Sequence, residues 1–251
     1  MAASTHEKAA EQIAKACKCL KKDENGFELW DTPQGRFWIE NNNFSEFTEI
    51  LAEQEANIYG DQSSGVRPGD IVLDCGAHVG VFTRKALGLG AKLVVAIEIA
   101  PVNLECLRRN FAAEIASGKV IVYPKGVWDK DDTLVLHLKK YTACYSLLFK
   151  GSGKRGDAPT PVPVTTIDKI VAELGLARVN FIKSDIEGAE RNMLAGAAKT
   201  LERFKPRMAI AGYHLKDDLI VLPAVALKAQ PAYKACLSES EWDFDNVIFF
   251  E

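Results

Sequence analysis

From Val66 onward the sequence alternates short apolar runs with segments of helical period. GDIVLDCG precedes a helix reaching Leu89, KLVVAIEI precedes PVNLECLRRNFAAEI, KVIVYPKGVW follows, and VNFIKSDIEG leads into AERNMLAGAAKTLERF. A strand followed by a helix and another strand returns in the same direction, so this rhythm predicts an α/β fold: a doubly wound, mostly parallel sheet covered by helices on both faces. The last strands are RMAIAGYH and a C-terminal pair near AYKACLSES and DNVIFFE, which ends the sheet in an antiparallel strand. Two segments break the rhythm. DTLVLHLKKYTACYSLLF carries the period of an extra strand, and GSGKRGDAPTPVP is read as loop from its Gly, Pro and Ser content.

Ahead of this region, Ala9, Ile13, Ala16 and Leu20 recur at three- and four-residue steps, predicting an amphipathic helix over residues 4–22. FELWDTPQGRFWIE reads as a hairpin turning at Pro33 and Gly35, and Ser45–Tyr59 as a second helix. The chain therefore divides into a helical and hairpin extension, 1–65, and a cofactor-binding domain, 66–251. The extension could complete a pocket, mediate homodimerisation or cover an edge of the sheet.

Charge narrows the partners. With 31 basic against 34 acidic side chains the net charge is −3, which offers no electrostatic footprint for a nucleic-acid backbone or an anionic membrane. The expected partner is a small molecule or glycan. The N-terminus lacks the apolar core of a signal peptide and no stretch approaches membrane-spanning length, so a cytoplasmic protein is expected. The six cysteines are scattered and read as reduced thiols; Cys17 and Cys19 have no second ligand pair to complete a metal site.

In a doubly wound sheet ligands sit beyond the carboxyl ends of the strands, beside a glycine-rich first turn. VLDCGAHVGVFT puts Gly76 and Gly80 there, with Asp74 just before them. A dinucleotide site wants GxGxxG facing a pyrophosphate; GAHVG lacks the middle glycine, and a carboxylate repels a pyrophosphate while attracting an ammonium. The next strand ends in AIEIAP, where Glu98 can accept hydrogen bonds from both ribose hydroxyls. An ammonium, a carboxylate and a sulfonium are what S-adenosylmethionine carries, so Asp74 with backbone NH groups suits it. The competing explanation is a glycine turn used only for tight packing.

VLDCGAHVGVFTRKAL, AIEIAPVNLECLRRN, VPVTTIDKI and VNFIKSDIEGAERNMLAGA, in this order, resemble the FkbM-type class I S-adenosylmethionine-dependent methyltransferases over roughly residues 66–215, KSDIEGAE being the most specific block. The resemblance implies a Rossmann-like methyltransferase fold, with Asp74, Gly76, His78, Gly80, Glu98, Gly126 and Val127 around the cofactor, and methylation of hydroxyl groups on sugars or other natural products. His78 stands where the family commonly has Asn. The fifth strand ends AIAGYH, without the acidic residue that often precedes its histidine.

Methyl transfer from a sulfonium is an in-line displacement that alignment alone can accelerate greatly, and a general base adds to it when the acceptor is a hydroxyl. Asp185 and Lys183 lie at the end of the fourth strand and, two residues apart, project to one side. Asp185 is the first candidate base, capping of a helix beginning near Gly188 its alternative role; Lys183 would orient the acceptor oxygen or neutralise Asp185. His214 closes the fifth strand and titrates in the range of a base. His137 is read as structural and His6 as solvent-exposed. Asp74, Glu98 and Asp185 could suggest a hard cation, with Glu187, Asp217 and Asp218 as contributors; two of these carboxylates are already given to the cofactor, so no metal set is assigned. YTACYSLLF beside GSGKRG is placed to cover the site. The reading is an S-adenosylmethionine-dependent O-methyltransferase. Its rivals are an NAD-dependent oxidoreductase and a cofactor-binding module without turnover.

Overall fold

A computed structural model describes residues 4–61, 63–139, 141–148, 160–238 and 246–251. The chain opens with α1 (Thr5–Ala16), β1 (Lys18–Lys22), β2 (Phe27–Thr32), β3 (Gly35–Glu40) and α2 (Phe44–Glu55). There follow β4 (Ile71–Cys75), α3 (Val81–Gly88), β5 (Leu93–Ile97), α4 (Pro101–Asn110), α5 (Ala112–Ala116) and β6 (Val120–Tyr123). Next come β7 (Gly126–Val127), β8 (Asp132–Leu136), β9 (Thr160–Thr165), α6 (Ile167–Glu173), β10 (Phe181–Ser184) and α7 (Glu190–Ala195). The chain closes with α8 (Ala198–Phe204), β11 (Arg207–Ala211), α9 (Asp218–Ala229), β12 (Ala235–Leu237) and β13 (Val247–Phe250).

Among the described residues the main sheet has the order β12-β13-β11-β10-β4-β5-β6, and β13 runs antiparallel to both its neighbours, as the rhythm of the sequence led one to expect. The chain winds outward from β4 through β5 to β6, then crosses to β10 and β11 on the other side. The reversal falls between β4 and β10, and in such sheets a crevice opens there beyond the strand ends. Both faces are apolar because both are covered. Leu73, Val95, Ile182 and Met208 point to one helical layer, and Val72, Val94, Phe181 and Ala209 to the other, packed on Phe82 and Ala86. The parallel register pairs Lys183 with Asp74, so a cation and an acid meet across neighbouring strands within that sheet.

The hairpin forms as expected, but the first helix is shorter than its period suggested. A capping box at Ser4 starts it, Cys17 leaves it in an extended conformation, and Lys18–Lys22 pairs with β2 as a third strand. The free edge of the hairpin takes up those residues, which leaves Leu20 40% exposed instead of on a helix face. The second helix likewise stops at Glu55, and Asn57 turns the chain at φ 59°. The extension lies against the sheet domain: Phe37, Ile39, Phe47 and Leu51 share a cluster with Val79, Val81 and Cys106, and the Asn110 amide both accepts from Trp38 N (2.6 Å) and donates to Trp38 O (3.0 Å).

The Pro-rich end of the expected loop is a strand. Thr160–Thr165 lies between β7 and β8 in a small sheet, with Val162 and Val164 buried and Pro161 and Pro163 exposed. β7 pairs only with Val164 and Thr165, so neither proline faces a partner on that side and no ladder bond is lost to them there. Residues 151–159 of that loop lie outside the described residues. KVIVYPKGVW splits between β6 in the main sheet and β7 in the small one. No helix among the described residues is long and apolar enough to cross a membrane.

Candidate active site

A cavity of about 280 Å³ opens over the carboxyl ends of β4, β5 and β10. Its floor is the turn after β4. Gly76 sits at φ +79°, and a Cβ there would stand 1.9 Å from the Asp185 carbonyl oxygen, so only glycine lets this turn touch the turn after β10. Two residues on, His78 takes φ +51° and donates its backbone NH to Glu98 Oε2 at 2.8 Å. The Glu98 carboxylate also accepts from Ile99 N (2.7 Å) and Ala100 N (2.8 Å), which fixes it at the end of β5 on the cavity wall. Burial pushes its pKa up against the pull of those NH groups. Gly126 and Val127 line the wall beyond it.

His78 joins the lining through its ring. Nε2 is 2.8 Å from Thr142 Oγ1, and burial together with the nearby Lys183 charge drives its pKa down to about 3, so the imidazole is neutral. Gly80 behaves differently from its partner glycine. It caps α3 at φ +94° with its Cα facing the Phe111 ring, 2.2 Å from where a Cβ would be, and it takes no part in the cavity wall. What the structure shows at Gly80 is close packing of α3 on Phe111, away from the cavity where a cofactor contact was expected.

Asp74 also lies off the cavity. It is fully buried, accepts from Thr83 Oγ1 at 2.6 Å and faces Lys183 Nζ at 3.4 Å. The carboxylate expected to meet an ammonium is thus neutralised within the fold. Lys183 also donates to Gly76 O at 2.9 Å, and the rings of Tyr59 and Phe82 lie 5.2 and 6.0 Å from its ammonium. Burial works against its charge, but Asp74 and Asp185 outweigh that and raise its pKa. Lys183 braces the glycine turn and also lines the cavity.

Asp185 reaches the cavity. It caps no helix: α7 begins at Glu190, and the Asp185 carboxylate instead accepts from the Tyr59 hydroxyl at 2.7 Å. Burial pushes its pKa up, yet Lys183, His214 and the Tyr59 and Tyr213 hydroxyls prevail and hold it below the ordinary value, so it is an ionised carboxylate. His214 is not the free base expected from its position. Its side chain is 7% exposed, with Asp185 Oδ1 and Glu187 Oε1 each 3.5 Å from Nε2 and Glu190 Oε1 3.2 Å from Nδ1. Burial lowers its pKa, but these carboxylates overcome that and carry it to about 11. On its own in this pocket the ring is a cation with no proton-accepting nitrogen. Asp217 and Asp218 are turned away to Arg191, at 2.9 and 2.5 Å. His137 is structural, as expected, pairing its backbone with Ser146 at 2.8 Å; His6 is half-buried, 4.0 Å from Glu53.

Two parts of the site come from the extension, whose completion of a pocket was one expected role but whose residues the sequence did not single out. Tyr59 is one. The other is α2, which presents Glu46, Glu49 and Glu53 to the cavity, an acidic stripe whose helical spacing is visible in the sequence once the helix is known to face inward. Glu46 Oε1 accepts from Ala143 N at 3.1 Å and so ties down residues 141–148, which roof the cavity. Burial, with repulsion from Glu49 and Glu187, lifts the Glu46 pKa to about 8. The lining as a whole is acid-rich, with Glu98, Asp185 and Glu187 added to that stripe against Lys125 and Lys183.

A doubly wound sheet with an antiparallel C-terminal end, a glycine turn after its first parallel strand and a ribose-height acid at the end of the second defines the Rossmann-like methyltransferase class of folds. A family model described as the methyltransferase FkbM domain matches residues 74–232. The chain belongs to the methyltransferase FkbM family. It is 30% identical over 157 residues to 31-O-demethyl-FK506 methyltransferase FkbM of Streptomyces tacrolimicus, an alignment covering 52% of this chain and 60% of that protein. The crystal structure of methyltransferase FkbM from Methylobacillus flagellatus KT superposes with a TM-score of 0.58 at 19% identity, over 97% of this chain and 58% of that one. The chain therefore spans about three-fifths of the length of these relatives.

Proposed function

We propose that the chain binds S-adenosylmethionine in this cavity and transfers its methyl group to a hydroxyl oxygen of a small molecule or glycan. The observation that carries the reading is Glu98, whose carboxylate stands on the cavity wall at the end of β5, held by three backbone NH groups. Held so, it can accept from both ribose hydroxyls without first having to be ordered. The acid-rich lining supports a ligand with a cationic sulfonium and weighs against the pyrophosphate of a dinucleotide. Transfer to oxygen draws its support from the Streptomyces relative, whose name describes a 31-O-methylation.

In the reaction the acceptor oxygen attacks the methyl carbon and the carbon–sulfur bond breaks, its electron pair returning to sulfur to leave a neutral thioether. Asp185, ionised and on the cavity wall, holds the acceptor hydroxyl and is placed to receive its proton. Lys183 and Asp74 serve by fixing the glycine turn. A cytoplasmic site of action accords with six free cysteines. Calorimetric titration with S-adenosylmethionine and with NAD tests the reading. The first should bind, and Glu98→Ala should weaken it roughly tenfold to several hundredfold, as expected for losing a charge-assisted pair of hydrogen bonds. Binding of NAD alone would overturn it.

A further inference from the structure

At the acceptor end of the cavity three side chains share one arrangement. Asp185 accepts from the Tyr59 hydroxyl on Oδ2 at 2.7 Å and also from the Tyr213 hydroxyl, and its Oδ1 faces His214. Glu187 has Oε2 beside Lys139 Nζ at 3.3 Å and Oε1 free of it. His214 has Nδ1 beside Glu190 Oε1 at 3.2 Å, while Glu190 Oε1 is itself held by Ile186 N at 2.8 Å. In each case the far atom has a neighbour, and the near atoms face one another. The near atoms converge, His214 Nε2 standing 3.5 Å from both Asp185 Oδ1 and Glu187 Oε1, and one ligand atom from each residue lies within 4.8 Å of the others.

The two 3.5 Å spacings are long for hydrogen bonds and close to those of ligands on one ion, and the remaining pair, within 4.8 Å, would close up on binding. His214 is more than nine-tenths buried, yet neither ring nitrogen makes a hydrogen bond of acceptable geometry. Two ligands each about 2.1 Å from one metal stand roughly 3.0–3.4 Å apart at angles between octahedral and tetrahedral. Glu190 Oε1, 3.2 Å from Nδ1, stands where it would accept from the second nitrogen of a metal-bound histidine once the ring turns onto the ion.

We propose that Asp185, Glu187 and His214 form a binding site for a divalent transition-metal ion, with Glu190, Tyr59 and Lys139 as positioning residues behind them. One imidazole with two carboxylates suits Mn²⁺ or Zn²⁺ better than a cation that takes oxygen alone. Asp185 and Glu187 both line the cavity, so the open coordination positions face the acceptor. An acceptor hydroxyl completing that coordination would be oriented towards the methyl group and made more acidic. What the ion does rests on the methyl-transfer reading; where it binds rests on the side-chain geometry alone.

Mn²⁺ titration of the chelator-treated full chain, followed by the electron-paramagnetic-resonance signal of unbound Mn²⁺, tests the site without any turnover. One Mn²⁺ should bind per chain. His214→Gln and Glu187→Gln should each weaken it more than about 100-fold, and Glu190→Gln by about 10–100-fold. Glu187 is the more exposed ligand, at 20% against 7% for His214, so Glu187→Gln decides the matter if the histidine variant fails to fold. The inference is overturned if the wild type takes up no stoichiometric Mn²⁺ at millimolar concentration, or if Glu187→Gln binds it as the wild type does. A parallel S-adenosylmethionine titration separates the two ideas: nucleoside binding without Mn²⁺ sinks the metal site only, and Mn²⁺ binding without the nucleoside sinks the methyl-transfer reading only.

Discussion

Replacing Lys183 by methionine keeps the unbranched stem, one atom shorter, and removes its charge. Asp74 is fully buried, and its two short contacts are the Thr83 hydroxyl at 2.6 Å and the Lys183 ammonium at 3.4 Å. Deleting one partner of a buried pair leaves the other charge uncompensated, a cost of about 3–5 kcal/mol. The same change frees Gly76 O, which accepts from Lys183 at 2.9 Å. In a chain of 251 residues such a loss corresponds to a fall in Tm of roughly 6–20 °C. Urea unfolding of the wild type, Lys183→Met, Asp74→Asn and the double variant closes a double-mutant cycle. The double variant should be clearly more stable than Lys183→Met alone, since the stranded charge is gone. A Lys183→Met cost under about 1 kcal/mol, or additive single costs, would refute the claim that the pair braces the fold, and would return Lys183 to the role of a reacting group.

The Glu46 carboxyl, with a pKa of about 8 in the fold, keeps its proton where the unfolded chain has lost it. Its contribution is whole below the ordinary carboxylate pKa of roughly 4.5 and is lost as pH rises towards 8, at about 1.4 kcal/mol per pH unit; Glu46→Gln should remove that slope from stability measured across this range, and an unchanged slope would show that Glu46 is not its source. Gly76→Ala should cost more than Gly118→Ala. Both positions have positive φ, +79° and +73°, so both incur roughly 1–2 kcal/mol of backbone strain, but only at Gly76 does the new methyl meet a carbonyl oxygen, while Gly118 has nothing within 4 Å. Equal destabilisation on urea unfolding would contradict the close approach of the two turns.

The main sheet was legible because a buried parallel strand and an amphipathic helix have different periods, and the chain alternates them from Val66 onward. The ends of elements were harder to read. Lys18–Lys22 follows a helical pattern and becomes a strand because β2 offers an unpaired edge, and β9 holds its prolines because its neighbour is two residues long. Within the site, Gly76, Glu98 and Asp185 were located by their places at strand ends and His78, Gly126 and Val127 by the family resemblance, and all line the cavity. What sequence order hides is pairing across long separations. Asp74 meets Lys183 through strand register, Tyr59 reaches Asp185 across 126 positions, and His214 is ringed by carboxylates from the turn after β10 and from α7. Each of these contacts changes the role its residue can play.

A crystal structure of the protein grown with S-adenosylmethionine tests the central claim most directly. The account predicts the nucleoside over the Gly76–His78 turn, both ribose hydroxyls on the Glu98 carboxylate and the sulfonium methyl directed towards Asp185. A ligand bound elsewhere, or a Glu98 side chain facing away from the ribose, would contradict it.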